Sequence, residues 1–144
     1  VSGRIGRNVR PGREGPDVNL VDTSGWIEYF FGEKNATFFT PPIEKTGDLI
    51  VPVICLYEVF KKVNVVADEA RALQAVAQMK QGDVVDITED VALSAALISL
   101  RHKLPMADSL IYATARARGA TLWTQDDHFS TLPGVKYKAA RTSR

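Results

Sequence analysis

Short apolar runs alternate with helix-type sequence along this chain, and nothing constrains its fold more. VNLVDTS (18–24) reads as a buried strand ending on Asp22. LIVP (49–52), DVVDI (83–87) and ATLWT (120–124) read as further strands, and VKYKA (135–139) as a last edge strand. Between them lie SGWIEYFFG (24–32), with Ser24 as cap and Gly32 as stop, and VICLYEVFKKV (53–63), with Leu56, Val59, Phe60 and Val63 on one side. DEARALQAVAQMKQG (68–82) carries Asp68 as its cap, and TEDVALSAALISLRHK (88–103) opens on Thr88, Glu89 and Asp90. The latter presents Leu93, Leu97, Leu100 and Leu104 as one apolar stripe. SLIYATARARG (109–119) closes on Gly119. Residues 33–48 are ambiguous, because Asn35 could cap a helix that Pro41 and Pro42 would interrupt.

Strand–helix alternation with short connections predicts a parallel sheet covered on both faces. The expected architecture is α/β, a three-layer α/β/α sandwich around a short, mostly parallel sheet of four to five strands. A chain of 144 residues with 45% hydrophobic and 24% charged residues suits one such domain. No apolar run approaches the roughly 20 residues of a membrane helix, and no signal-peptide pattern is present. The single cysteine, Cys55, cannot form an internal disulfide and reads as a small buried hydrophobe; Trp26 reads as packing.

The net charge of +1 hides an asymmetry. Residues 1–18 carry four Arg against Glu14 and Asp17; residues 136–144 carry Lys136, Lys138, Arg141 and Arg144 with no acid. The body between has 10 basic and 15 acidic residues, a net of −5. Two readings are open: a metal site beside nucleic-acid-binding ends, or a solvated surface with two floppy termini. Residues 1–17, rich in Gly and Arg, are expected to be a disordered leader or a cloning remnant, 18–138 the folded domain, and 139–144 a basic tail.

Asp22 and Asp126 each follow a strand at its carboxyl end, and in a parallel sheet those ends share an edge. Asp108 begins the helix that leads back to the Asp126 strand, so three carboxylates converge by topology alone. Glu58, on the helix after LIVP, is the fourth candidate. Each also has a plainer reading: Asp108 and Asp22 as caps, Glu58 paired with Lys62 one turn on, and Asp126, Asp127 and His128 as a solvated turn. Carboxylates crowded at one place repel, so one takes a proton or a cation neutralises them. Oxygen donors with no Cys or His cluster select Mg²⁺ or Mn²⁺ over zinc, and such ions suit phosphate chemistry. The chain has neither a P-loop pattern nor a G-x-S-x-G elbow.

The segments VDTSGWIEYF, LIVPVICLYEVFKKV, PMADSLIYATARARGATLWTQDDHF and LPGVKY resemble, in order and separation, a PIN-domain ribonuclease of the VapC toxin type. The resemblance covers about residues 18–138, and the Arg-rich leader lies outside its pattern. It implies a cytoplasmic, Mg²⁺- or Mn²⁺-dependent endoribonuclease acting on an RNA substrate. It also implies a homodimer, neutralised by a cognate antitoxin protein whose C-terminal peptide enters the groove. By position, the acidic quartet is Asp22, Glu58, Asp108 and Asp126, both metal-holding and catalytic, with Glu58 either an outer ligand or the group that activates water. Thr23, Ser24 and Thr124 would orient carboxylates or water. Arg116, Arg118 and the basic tail would meet the RNA backbone, although Arg116 reads equally as a solvated helix residue. A competing class is a catalytically silent binding module that keeps the fold and acts through dimerisation or a partner protein. A phosphatase or receiver domain is disfavoured, since the first strand lacks a D-x-D pair and no lysine follows Thr124.

Overall fold

The computed structural model describes residues 14–141. Most of the expected leader and the last three residues of the expected tail lie outside the described residues. Five strands, β1 (Asn19–Val21), β2 (Leu49–Pro52), β3 (Asp83–Val85), β4 (Thr121–Thr124) and β5 (Val135–Tyr137), form one sheet in the order β3-β2-β1-β4-β5. Every pairing is parallel. The helices are α1 (Thr23–Phe30), α2 (Ala36–Glu44), α3 (Val53–Val66), α4 (Glu69–Met79), α5 (Glu89–His102) and α6 (Met106–Arg118).

The first three strands step one way across the sheet, and the chain then returns to place β4 on the other side of β1. Right-handed crossovers therefore put α1–α4 and α5–α6 on opposite faces. The contacts agree: α1 packs on α2 and α3, α3 on α4, and α5 on α6. All four residues of β2 are buried, as a strand covered on both sides requires. Leu20, Val21, Ile50, Val51 and Leu122 form the core with Trp26, Phe39 and Phe129, each with no exposed surface. Trp26 stacks on Phe30 at 5.5 Å between ring centroids, and Cys55 is buried.

Four local expectations need correction. Asp22, not Ser24, caps α1: its carboxylate accepts from the Gly25 amide, and Ser24 lies inside the helix. Residues 36–44 form one helix despite Pro41 and Pro42, which cost two backbone donors while Phe39, Pro42 and Ile43 are buried. Asn35 makes no capping bond; its Nδ2 donates to Gln125 Oε1 and to the Ala139 carbonyl, both at 3.0 Å. α6 begins at Met106, just after Pro105, so Asp108 sits within the first turn and is not its cap.

The leucine stripe on α5 is divided. Leu104 is buried, but Leu93, Leu97 and Leu100 are 61%, 59% and 78% exposed. α5 meets α6 through its small-residue face around Ala95, with Ile98 partly buried. α1 lies close to α2 because residue 25 is glycine: a Cβ there would stand 2.6 Å from both Phe39 Cε1 and Val21 Cγ1.

Candidate active site

The sheet order reverses between β1 and β4, and in parallel sheets ligand sites form at such a switch point, beyond the carboxyl ends of the strands. Pairing of Val21 with Trp123 sets the next residues, Asp22 and Thr124, side by side. Asp22 is 3% exposed. Its Oδ1 accepts from Ser24 Oγ at 2.8 Å and the Gly25 amide at 3.0 Å; its Oδ2 accepts from Thr124 Oγ1 at 2.7 Å. Burial dominates these donors and the nearby Asp126 charge adds to it, so the Asp22 carboxyl is pushed up to about 7.

Thr124 Oγ1 also accepts from the Asp126 amide at 2.8 Å, which fixes the turn leaving β4. On α3, Glu58 Oε1 accepts from Thr23 Oγ1 at 2.5 Å, so Glu58 is engaged from α1 rather than by Lys62. Asp108 projects from the first turn of α6, and its Oδ2 lies 2.8 Å from His128 Nδ1. Partial burial raises the Asp108 carboxyl, and Asp126 raises it further against the His128 hydrogen bond. Asp126 Oδ1 accepts from the His128 amide at 2.9 Å and lies 3.3 Å from His128 Nδ1.

Asp22, Glu58, Asp108 and Asp126 all line one groove of about 580 Å³. Thr23 and Ser24 line it too, and Thr124 lies buried behind Asp22. Asp127 is exposed and does not line it. Nor do Arg116 and Arg118: Arg116 stands over the Tyr112 ring at 6.0 Å, eight residues beyond Asp108 and so about 12 Å farther along α6.

Sequence reasoning passed over two features. His128, read as a turn residue, is brought against both Asp108 and Asp126 by a 3-10 turn at 127–129. The i, i+2 spacing from Asp126 was its only sequence signal. Tyr57, Lys61 and Val65 form an i, i+4, i+8 row on α3 along the groove, with Lys62 beside them, and Lys61 Nζ lies 5.7 Å from the Tyr57 ring centre. The i, i+4 spacing of Tyr57 and Lys61 in YEVFKKV (57–63) held that signal.

The donor chemistry fits a divalent cation. Four carboxylates converge, Asp22 is buried, and Asp22 and Asp108 are both driven toward their protonated forms when no cation offsets them. Asp108, Asp126 and His128 each offer a donor atom within 4.8 Å of the others.

The profile of the PIN domain matches residues 20–135. No curated protein matches the chain. Among solved structures, a toxin–antitoxin complex from Klebsiella pneumoniae aligns with TM-score 0.67 and 25% identity over 82% of this chain and 95% of that one. Mycobacterium tuberculosis VapC20, a sarcin-ricin loop cleaving toxin, aligns with TM-score 0.70 and 21% identity over 81% and 96%. DNA-bound VapBC from Salmonella typhimurium aligns with TM-score 0.69 and 18% identity over 85% and 97%.

Proposed function

The chain belongs to the PIN domain family, and from that premise we propose that it is a divalent-metal-dependent endoribonuclease, the toxin of a toxin–antitoxin pair. The observation that carries this reading is the meeting of Asp22, Glu58, Asp108 and Asp126 along one groove from four separate parts of the chain. The structures named above, a toxin–antitoxin complex, a sarcin-ricin loop cleaving toxin and a DNA-bound VapBC, support it.

In this proposal Asp22, Asp108 and Asp126 hold Mg²⁺ or Mn²⁺. When bound, the ion supplies positive charge for the scissile phosphate and lowers the pKa of a coordinated water. Ser24, the Gly25 amide and Thr124 fix the rotamer of Asp22. Thr23 holds Glu58 by Oε1, leaving Oε2 to take the proton of the attacking water. The water oxygen forms the new P–O bond, the opposite P–O bond breaks, and the departing oxygen takes a proton from solvent. Lys61 and Lys62, on the groove wall, contact the RNA backbone.

The partners follow from the same reading. A cognate antitoxin covers the groove, and two copies of the chain pair in the cytoplasm through the exposed α5 leucines, Leu93, Leu97 and Leu100. No helix among the described residues is long and apolar enough to cross a membrane.

The test is cleavage of structured RNA by the purified protein with Mn²⁺, compared with Asp22→Asn and Asp108→Asn. Loss of at least a hundredfold in rate in each variant is expected. Cleavage at the wild-type rate in either variant removes the proposed centre, and an inert wild-type protein favours the binding-module alternative.

A further inference from the structure

Outside the acidic quartet, the side chain with most to add is His128. Its Nδ1 lies 2.8 Å from Asp108 Oδ2 and 3.3 Å from Asp126 Oδ1. Six-coordinate ions with bonds of about 2.1 Å place adjacent donor atoms about 3.0 Å apart, so these two separations match neighbouring corners of one coordination shell. The three donor atoms lie within 4.8 Å of one another, close enough to share one cation after a small turn of the ring. The backbone holds the His128 Cα beside both carboxylates. The His128 amide donates to Asp126 Oδ1 at 2.9 Å, and the next residue, Phe129, is fully buried with its ring 6.4 Å from Tyr112 of α6. The turn is thus tied on one side to the Asp126 carboxylate and on the other to the helix that carries Asp108.

We propose that His128 is a direct ligand of the divalent ion, joining Asp108 and Asp126, and that its nitrogen tunes this centre toward Mn²⁺ and similar first-row transition ions over Mg²⁺. The inference rests on the nuclease reading above for the presence of an ion and adds a ligand and a metal preference to it. Magnesium favours an all-oxygen shell; manganese accepts a nitrogen donor more readily than magnesium, and the later first-row ions more readily still. The side chain is 51% exposed, so replacing it removes little packing.

The experiment binds metal alone to the purified full chain, with no RNA. Pulsed electron paramagnetic resonance of bound Mn²⁺ is expected to show modulation from one directly coordinated ¹⁴N in the wild-type protein, lost in His128→Gln. Calorimetric titration is expected to give a ratio of Mg²⁺ to Mn²⁺ dissociation constants at least tenfold higher in wild type than in His128→Gln. Bound Mn²⁺ without nitrogen modulation, an unchanged ratio, or no Mn²⁺ bound at millimolar concentration overturns the proposal. The spectrum of the wild-type protein decides the question even where the variant is poorly behaved. The two readings fail separately. Loss of RNA cleavage in Asp22→Asn beside an unchanged metal ratio in His128→Gln leaves the nuclease and removes the histidine ligand. Nitrogen-coordinated Mn²⁺ in a protein that cuts no RNA does the reverse.

Discussion

Replacing Asp22 by Asn should stabilise the cation-free protein at pH 8. Asp22 is almost wholly buried, and its carboxyl is raised from 3.8 to about 7, chiefly by burial. A folded-state value above the unfolded one stabilises the protein only where the group is protonated. The contribution is full below about pH 4 and is lost as pH rises toward 7. By pH 8, roughly three pKa units at 1.36 kcal/mol each make the ionised carboxylate cost about 4 kcal/mol. Asn removes the charge and keeps an acceptor for Ser24 and the Gly25 amide, but Thr124 must turn from donor to acceptor. That reversal costs about 1 kcal/mol, leaving a net gain of about 2–3 kcal/mol. At about 3–4 °C per kcal/mol for a chain of this size, the melting temperature in EDTA at pH 8 should rise by about 6–12 °C. Calorimetry at pH 5 and pH 8, with EDTA and with millimolar Mn²⁺, is the assay. The wild-type protein should melt lower at pH 8 than at pH 5 in EDTA and recover with Mn²⁺. The variant should respond less to both changes, since Asp108, Asp126 and His128 remain. A variant that melts at or below the wild type at pH 8 in EDTA would refute the burial argument.

Gly25→Ala places a methyl group against the Phe39 ring and Val21, and should cost about 1–3 kcal/mol in urea denaturation. Leu97→Arg puts a charge in the middle of the exposed α5 row, and should shift the sedimentation coefficient from dimer to monomer with little change in melting temperature. Lys103 ends α5 with a φ of +57°, so Lys103→Gly should stabilise the protein by about 1 kcal/mol in the same denaturation assay.

The sheet was legible because each strand is a short apolar run at a regular place between amphipathic helices. The placing of Asp22 and Asp126 at one edge followed from strand ends in a parallel sheet, without any knowledge of side chains. Glu58 was less legible. A pairing with Lys62 one turn on was the plainer reading, and the contact of Glu58 with Thr23, 35 residues away, ties it to α1 at the groove. The start of α6 was misplaced because Asp108 looks like a cap; the proline three residues earlier decides the boundary. His128 was undervalued for a related reason: its partner Asp108 lies 20 residues distant, and no local pattern encodes that contact. The α5 leucines mark a different limit. A stripe of apolar residues reveals that a helix has two sides, but not whether its own chain covers the greasy one.

The seating of β1 between β2 and β4 has a consequence for how the protein is made. Asp22 is bonded to Thr124 across 102 positions, and Asp126 and His128 come later still. β1 therefore gains its β4 neighbour only after Thr124 has been made. Any shortened product ending before residue 121 lacks both β4 and the turn that closes the groove. Such a fragment carries at most Asp22, Glu58 and Asp108 and lacks Asp126 and the strand that gathers them, so under the proposed function a harmful activity stays latent in any chain cut short there.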